Sequence, residues 1–107
     1  MATISVEPEI YTVVNVFTVN EKDQQPLLKI LSGVTEGIIK SLPGFISANF
    51  HLSKDGTKVV NYAQWRSEED FRAMHRHPDL QDHIHQCRRL ASIEQVHCRV
   101  AYTAEPV

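Results

Sequence analysis

Cysteine is scarce in this chain of 107 residues: Cys87 and Cys98 have ten residues between them and stand outside any Cys-x-x-Cys pair. That argues against a disulfide framework, a zinc site and a dithiol redox motif, and both read as buried thiols. Charge of one sign is lacking as well. Eleven Lys and Arg against thirteen Asp and Glu leave a net −2 with no basic stripe, so nucleic acid is not an expected partner. No run of eighteen apolar residues exists to span a membrane. The first twenty residues carry Glu7 and Glu9 and lack the cationic start and apolar core of a leader, so a cytoplasmic protein is expected.

What is present is ordinary globular material, 42% hydrophobic and 22% charged, enough to offset the entropy of ordering. The length suits one domain over residues 1–107. A core this small leaves a second subunit as a natural source of further burial. From Ile10 to Val19 a β-branched segment, apolar on both alternating faces, reads as a central strand. Pro26 suits a first helical turn, and Leu27, Leu31, Val34, Ile38 and Leu42 then recur at helical spacing until Pro43-Gly44. Gly33 and Gly37 inside that pattern imply close packing or room for a ligand.

Phe45–Ser53 and Thr57–Trp65 are strand-like runs around Asp55-Gly56, a strong hairpin signal. A two-residue loop pairing Lys54 with Thr57 puts Leu52 opposite Val59, Phe50 opposite Asn61, Ala48 opposite Ala63 and Ile46 opposite Trp65. These residues form one face, expected to lie under helices. Phe45, Ser47, Asn49, His51, Val60, Tyr62 and Gln64 form the other, expected to meet water or a second subunit. Asn61 is the only polar residue on the apolar face. A buried amide needs a partner, which is either a structural bond or a ligand oxygen in a cavity with Trp65 as its aromatic wall.

Ser67-Glu68-Glu69-Asp70 opens a short helix with Phe71 and Met74 on its apolar side. After Pro78, Leu80, Ile84, Cys87, Leu90 and Ala91 mark a third helix, on which His83 turns inward while His85 and Arg89 turn away. His75, His77, His83 and His85 lie on two helices with no Cys, Asp or Glu at a recognisable ligand spacing, so no metal site is expected. Glu94–Thr103 reads as the last strand. The order strand, helix, strand, strand, two helices, strand is the ferredoxin-like α+β pattern with an antiparallel sheet.

Leu42-Pro43-Gly44-Phe45, the Asp55-Gly56-Thr57 turn, the string Val59-Val60-Asn61-Tyr62-Ala63-Gln64-Trp65, and Ser67 with Phe71 together resemble the antibiotic biosynthesis monooxygenase family. The likeness is greatest to the anthrone-type enzymes of aromatic polyketide pathways, and it runs from the first strand to the end of the third helix. The resemblance implies a homodimeric α+β barrel with one small-molecule cavity per subunit. It also implies oxidation of a phenolic or anthrone-like polycyclic aromatic to a quinone, with O₂ as co-substrate and no metal, flavin or haem. On this reading Asn61 would bind the substrate oxygen and Trp65 would orient the ring. His83, chosen from its place on the helix, would serve as acid-base; Phe50, Phe71, Met74 and Asn15 would line the substrate. Phe71 stands where the family has a Tyr, and the family's Arg on the third helix falls opposite the stretch His83 to His85, which has none. Two alternatives stay open. Asn15, Trp65 and His83 also resemble the haem contacts of haem-degrading monooxygenases of this fold, and the fold also suits a non-catalytic dimeric binder of aromatic compounds.

Overall fold

The computed structural model describes residues 10–107; the reading of the first nine residues as free of a leader lies outside them. Strand β1 (Tyr11–Val19) leads through a 3-10 turn into helix α1 (Gln24–Gly37). A second 3-10 turn, Ile39–Ser41, precedes the hairpin of β2 (Phe45–Leu52) and β3 (Lys58–Trp65). Helices α2 (Glu68–His75) and α3 (Pro78–Leu90) follow, and β4 (Ala91–Cys98) completes the sheet. All pairings are antiparallel in the order β2-β3-β1-β4, which is the expected ferredoxin-like α+β arrangement with β1 central.

The helices cover one face. Phe17, Val19 and Val59 of the sheet pack with Leu27 and Leu31 of α1 and Cys87 of α3. Val13 and Trp65 pack with Phe71 of α2. The start of α2 is held by Ser67, whose Oγ accepts from the Asp70 backbone N–H at 3.1 Å and donates to the Asp70 carboxylate at 3.0 Å. Cys87 is buried as expected, whereas Cys98 is only partly covered because it closes the edge strand β4.

Several expectations change. Helix α1 stops at Gly37, where Ile38 leaves helical geometry, so Ile38 and Leu42 belong to the connection. A Cβ at Gly33 or Gly37 would meet nothing within 4 Å, so neither glycine serves close packing. In the hairpin, Leu52–Val59, Phe50–Asn61 and Ala48–Ala63 pair as expected, but a bulge follows and Phe45, not Ile46, faces Trp65. The Phe45 ring meets the indole edge-on at 5.4 Å. The turn is also wider than two residues. Ser53 and Lys58 close it, only Gly56 takes positive φ (81°), and the Asp55 carboxylate accepts from Thr57 Oγ1 (2.7 Å), Thr57 N (3.0 Å) and Ser53 Oγ (2.8 Å). Those bonds, the Thr57 side chain's first, hold the Asp55 pKa down to about 2.

The last strand starts three residues earlier than expected. Ala91 is already extended (φ −143°, ψ 150°) directly after Leu90, while Val100 and Tyr102 lie beyond the strand. Ala91, Ile93, Gln95 and His97 pair with Val19, Phe17, Asn15 and Val13 and share their face. Polar residues at the second half of that alternation hid the strand's inner side.

Candidate active site

Between the inner face of the sheet and the helices lies a cavity of about 980 Å³. The strand register explains why it is there. One row across the sheet is Phe50, Asn61, Asn15 and Gln95; the next is Ala48, Ala63, Val13 and His97. Alanines at positions 48 and 63 leave room beside the amides. Trp65, almost wholly buried, closes the end of β3 and lies 6.4 Å from Phe71, ring to ring. From the helices come Met74, His75, His83, Ile84 and Arg88.

All seven residues singled out from the sequence, Asn61, Trp65, His83, Phe50, Phe71, Met74 and Asn15, line this one cavity. Asn61 Oδ1 is buried and has no hydrogen-bond partner among the described residues. Such an acceptor costs about 1–3 kcal/mol until a donor meets it. Asn15, by contrast, has a partner: Gln95 Nε2 donates to Asn15 Oδ1 at 2.9 Å, and Gln95 Oε1 lies 2.9 Å from His97 Nε2. His97 Nδ1 in turn bonds to the Tyr11 hydroxyl. Burial is the main influence raising the Tyr11 pKa.

His83 is half-buried, and desolvation lowers its pKa, favouring the neutral imidazole. Its Nε2 lies 3.7 Å from the Cys87 thiol, which burial pushes up to about 11 and keeps protonated at neutral pH. His75 is shifted downward in the same way, by burial first and then by Arg88 and His97. Among the described residues no Asp or Glu lines the cavity, whereas Arg88 and Arg89 both do, so its field favours an anion. Arg89 thus borders the cavity despite its outward place on the helical wheel. Among the described residues, no three His, Cys, Asp or Glu side chains gather closely enough to hold a metal ion.

Sequence reasoning missed three polar contributors. His75 follows Phe71 at i+4, so the same helical spacing that marked Phe71 and Met74 includes it. Arg88 follows Ile84 at i+4 on the side of α3 that opens to the cavity. Gln95 falls inside the strand expected from Glu94, but only the pairing of that strand with Asn15 brings it to the cavity, and no local pattern shows that pairing.

A ferredoxin-like α+β domain with an aromatic, acid-free cavity between sheet and helices is a frame for binding and oxidising a small aromatic molecule. Residues 10–86 match the antibiotic biosynthesis monooxygenase family, and the chain belongs to that family. It is 52% identical over 103 residues to the tetracenomycin-F1 monooxygenase of Streptomyces glaucescens, covering 96% of this chain and 92% of that protein. Its structure resembles that of the monooxygenase from the gene ActVA-Orf6 of Streptomyces coelicolor, solved in complex with nanaomycin D. The TM-score is 0.84 and the identity 30%, over 94% of this chain and 96% of the other. SnoaB of Streptomyces nogalater, a cofactor-independent oxygenase, shares the fold with a TM-score of 0.76 at 23% identity, over 89% and 96% of the two chains. The protein is an oxidoreductase of the monooxygenase type.

Proposed function

We propose that the protein oxidises a phenolic or anthrone-like polycyclic aromatic of polyketide type to a quinone, using O₂ and no metal, flavin or haem. The observation that carries this reading is the buried Oδ1 of Asn61, unpartnered among the described residues, in a cavity whose walls include the rings of Trp65, Phe45, Phe50 and Phe71. A flat aromatic fills the walls, and its hydroxyl supplies the missing donor. The named relatives support the same substrate class and the absence of a cofactor. The protein is one domain over residues 1–107 and acts in the cytoplasm as a homodimer.

The chemistry balances without a further redox partner. Loss of a proton from the substrate C–H or O–H gives an electron-rich anion, which passes electrons to O₂ and forms a C–O bond. The peroxide anion takes back the proton, and the hydroperoxide so formed loses its remaining C–H proton as the O–O bond breaks. Water leaves, and the carbonyl of the quinone keeps the other oxygen atom. The protein excludes bulk water, stabilises the anion with Arg88 and the amides, and accepts the proton at a neutral histidine, for which His83 is placed.

Oxygen uptake with an anthrone by purified protein tests this. Wild type consumes O₂ and forms the quinone. Asn61→Ala loses about a hundredfold in turnover with little change in its unfolding midpoint. No uptake by wild type, or a Soret band with haem turnover on adding haemin, would overturn the reading. An Asn61→Ala protein that unfolds while its folded fraction stays fully active would make the amide structural.

A further inference from the structure

The hydrogen-bonded string Tyr11, His97, Gln95, Asn15 leaves β1 at Tyr11, crosses to the edge strand β4 and returns to β1 at Asn15 on the cavity floor, and one polarity suits it in every charge state. Gln95 gives its N–H to Asn15 Oδ1 and turns its Oε1 to His97 Nε2. The reverse polarity would need His97 Nε2 to accept, which an imidazolium cannot do. The observed polarity suits both charge states of His97: Nε2–H donates to Gln95 in each, while Nδ1 either accepts from the Tyr11 hydroxyl or donates to it. It has one consequence for Asn15. With Oδ1 taken by Gln95, the amide's remaining end is its Nδ2 donor, beside the unpartnered acceptor of Asn61 in the same row of the sheet.

We propose that Gln95 and His97 are positioning residues that lock the Asn15 carboxamide with its N–H₂ end toward the substrate, making Asn15 a hydrogen-bond donor to the anionic oxygen. The proposal rests on the oxidation reading above and deepens it. Asn61 Oδ1 accepts from a substrate hydroxyl, and Asn15 Nδ2 donates to the neighbouring oxygen that carries the charge. The site thereby selects aromatics with a protonated and an ionised oxygen side by side. Gln95 and His97 touch no reacting atom. They act through Asn15 by fixing which end of an amide, nearly symmetric in shape, is presented. The Phe71 ring, 5.5 Å from the His97 ring and 5.7 Å from that of Tyr11, packs against the same string. The groups around His97 are Tyr11 on β1, His75 on α2 and Cys98 on its own strand, with Glu68 and Arg72 of α2 acting on Tyr11.

The decisive substitution keeps the size and reverses the polarity. Glu in place of Gln95 offers no N–H to Asn15, so the Asn15 amide turns its donor to the new carboxylate and its Oδ1 to the cavity. Gln95→Ala leaves water to take over the lost bond. Gln95→Glu is therefore expected to lower anthrone turnover about tenfold or more, and Gln95→Ala only a few-fold, the reverse of what a packing role gives. A hydroxyanthraquinone, which changes colour on ionising, supplies a second readout: its bound ionisation should move upward by about one pH unit in Gln95→Glu. A bare effect of the added charge is separated by the Asn15→Ala background, where Gln95→Glu should add little further loss. The proposal is overturned if Gln95→Ala is as harmful as Gln95→Glu, or if the Gln95→Glu penalty is undiminished in Asn15→Ala. A wild type that binds the hydroxyanthraquinone but oxidises no anthrone would overturn the oxidation reading instead, with the colour shift still deciding the role of Gln95.

Discussion

Burial acts on the imidazole at position 83 in one direction, disfavouring its cation, so the folded protein holds His83 neutral to a lower pH than the ordinary 6.5. Two consequences follow with fixed sign. A neutral imidazole is a competent base, so turnover should rise with pH through a midpoint below 6.5. The unfolded chain takes up the proton first, so the contribution of His83 to stability is complete above about pH 6.5 and is lost as pH falls below it. His83→Ala should remove this limb of the rate profile and cost about a hundredfold, measured as O₂ uptake from pH 5 to 8. His75→Ala should leave the limb in place. Identical rates and profiles for wild type and His83→Ala would make His83 a wall of the cavity only. His83 was legible because helix spacing alone turns it inward, and Asn61 because it breaks an apolar alternation. His97 and Gln95 were not, because their places depend on a strand pairing across some eighty residues of sequence.

The elements show where local rules suffice and where they do not. Gly33 lies in the interior of α1 with open space where a Cβ would go, and an exposed helical glycine costs about 0.5–1 kcal/mol relative to alanine. Gly33→Ala should therefore stabilise by about that amount, seen as a higher urea midpoint at unchanged slope, with no effect on turnover. Gly44 is the contrast. Its φ is +82°, and a Cβ there would stand 2.2 Å from the Asp70 carboxylate, so alanine at 44 should destabilise. The hairpin was legible from Asp55-Gly56 and from the alternation of β3, whose pairings hold from Leu52–Val59 to Ala48–Ala63. The bulge beyond was not, because Phe45 and Ile46 are equally apolar and only packing against the Trp65 indole distinguishes them.

On the scale of the whole molecule the sheet has two faces and the helices account for one. The outer face carries Tyr62, Val14 and Val96 side by side in one row, with Val60 and Val16 in a neighbouring one. Tyr62 is 40% and Val96 45% exposed. An antiparallel sheet with one solvated face normally turns polar residues outward, and a contiguous apolar patch of this kind marks an interaction surface. Beside it, Gln64 donates to Thr12 at 3.1 Å, yet Gln64 Oε1 and Ser47 Oγ have no partner among the described residues. The alternation of β3 made this face visible in sequence, since Val60 and Tyr62 are too apolar for water and Gln64 too polar to sit under helices. A second copy meeting it face to face would cover the valines and the tyrosine symmetrically. Light scattering at micromolar concentration should therefore give about twice the 12.2 kDa chain mass. Tyr62→Lys combined with Val96→Asp should reduce it to the monomer, and because neither side chain touches the cavity the loss of mass should precede any loss of ligand binding. A wild-type monomer under those conditions would refute the dimer and leave the outer valines facing water.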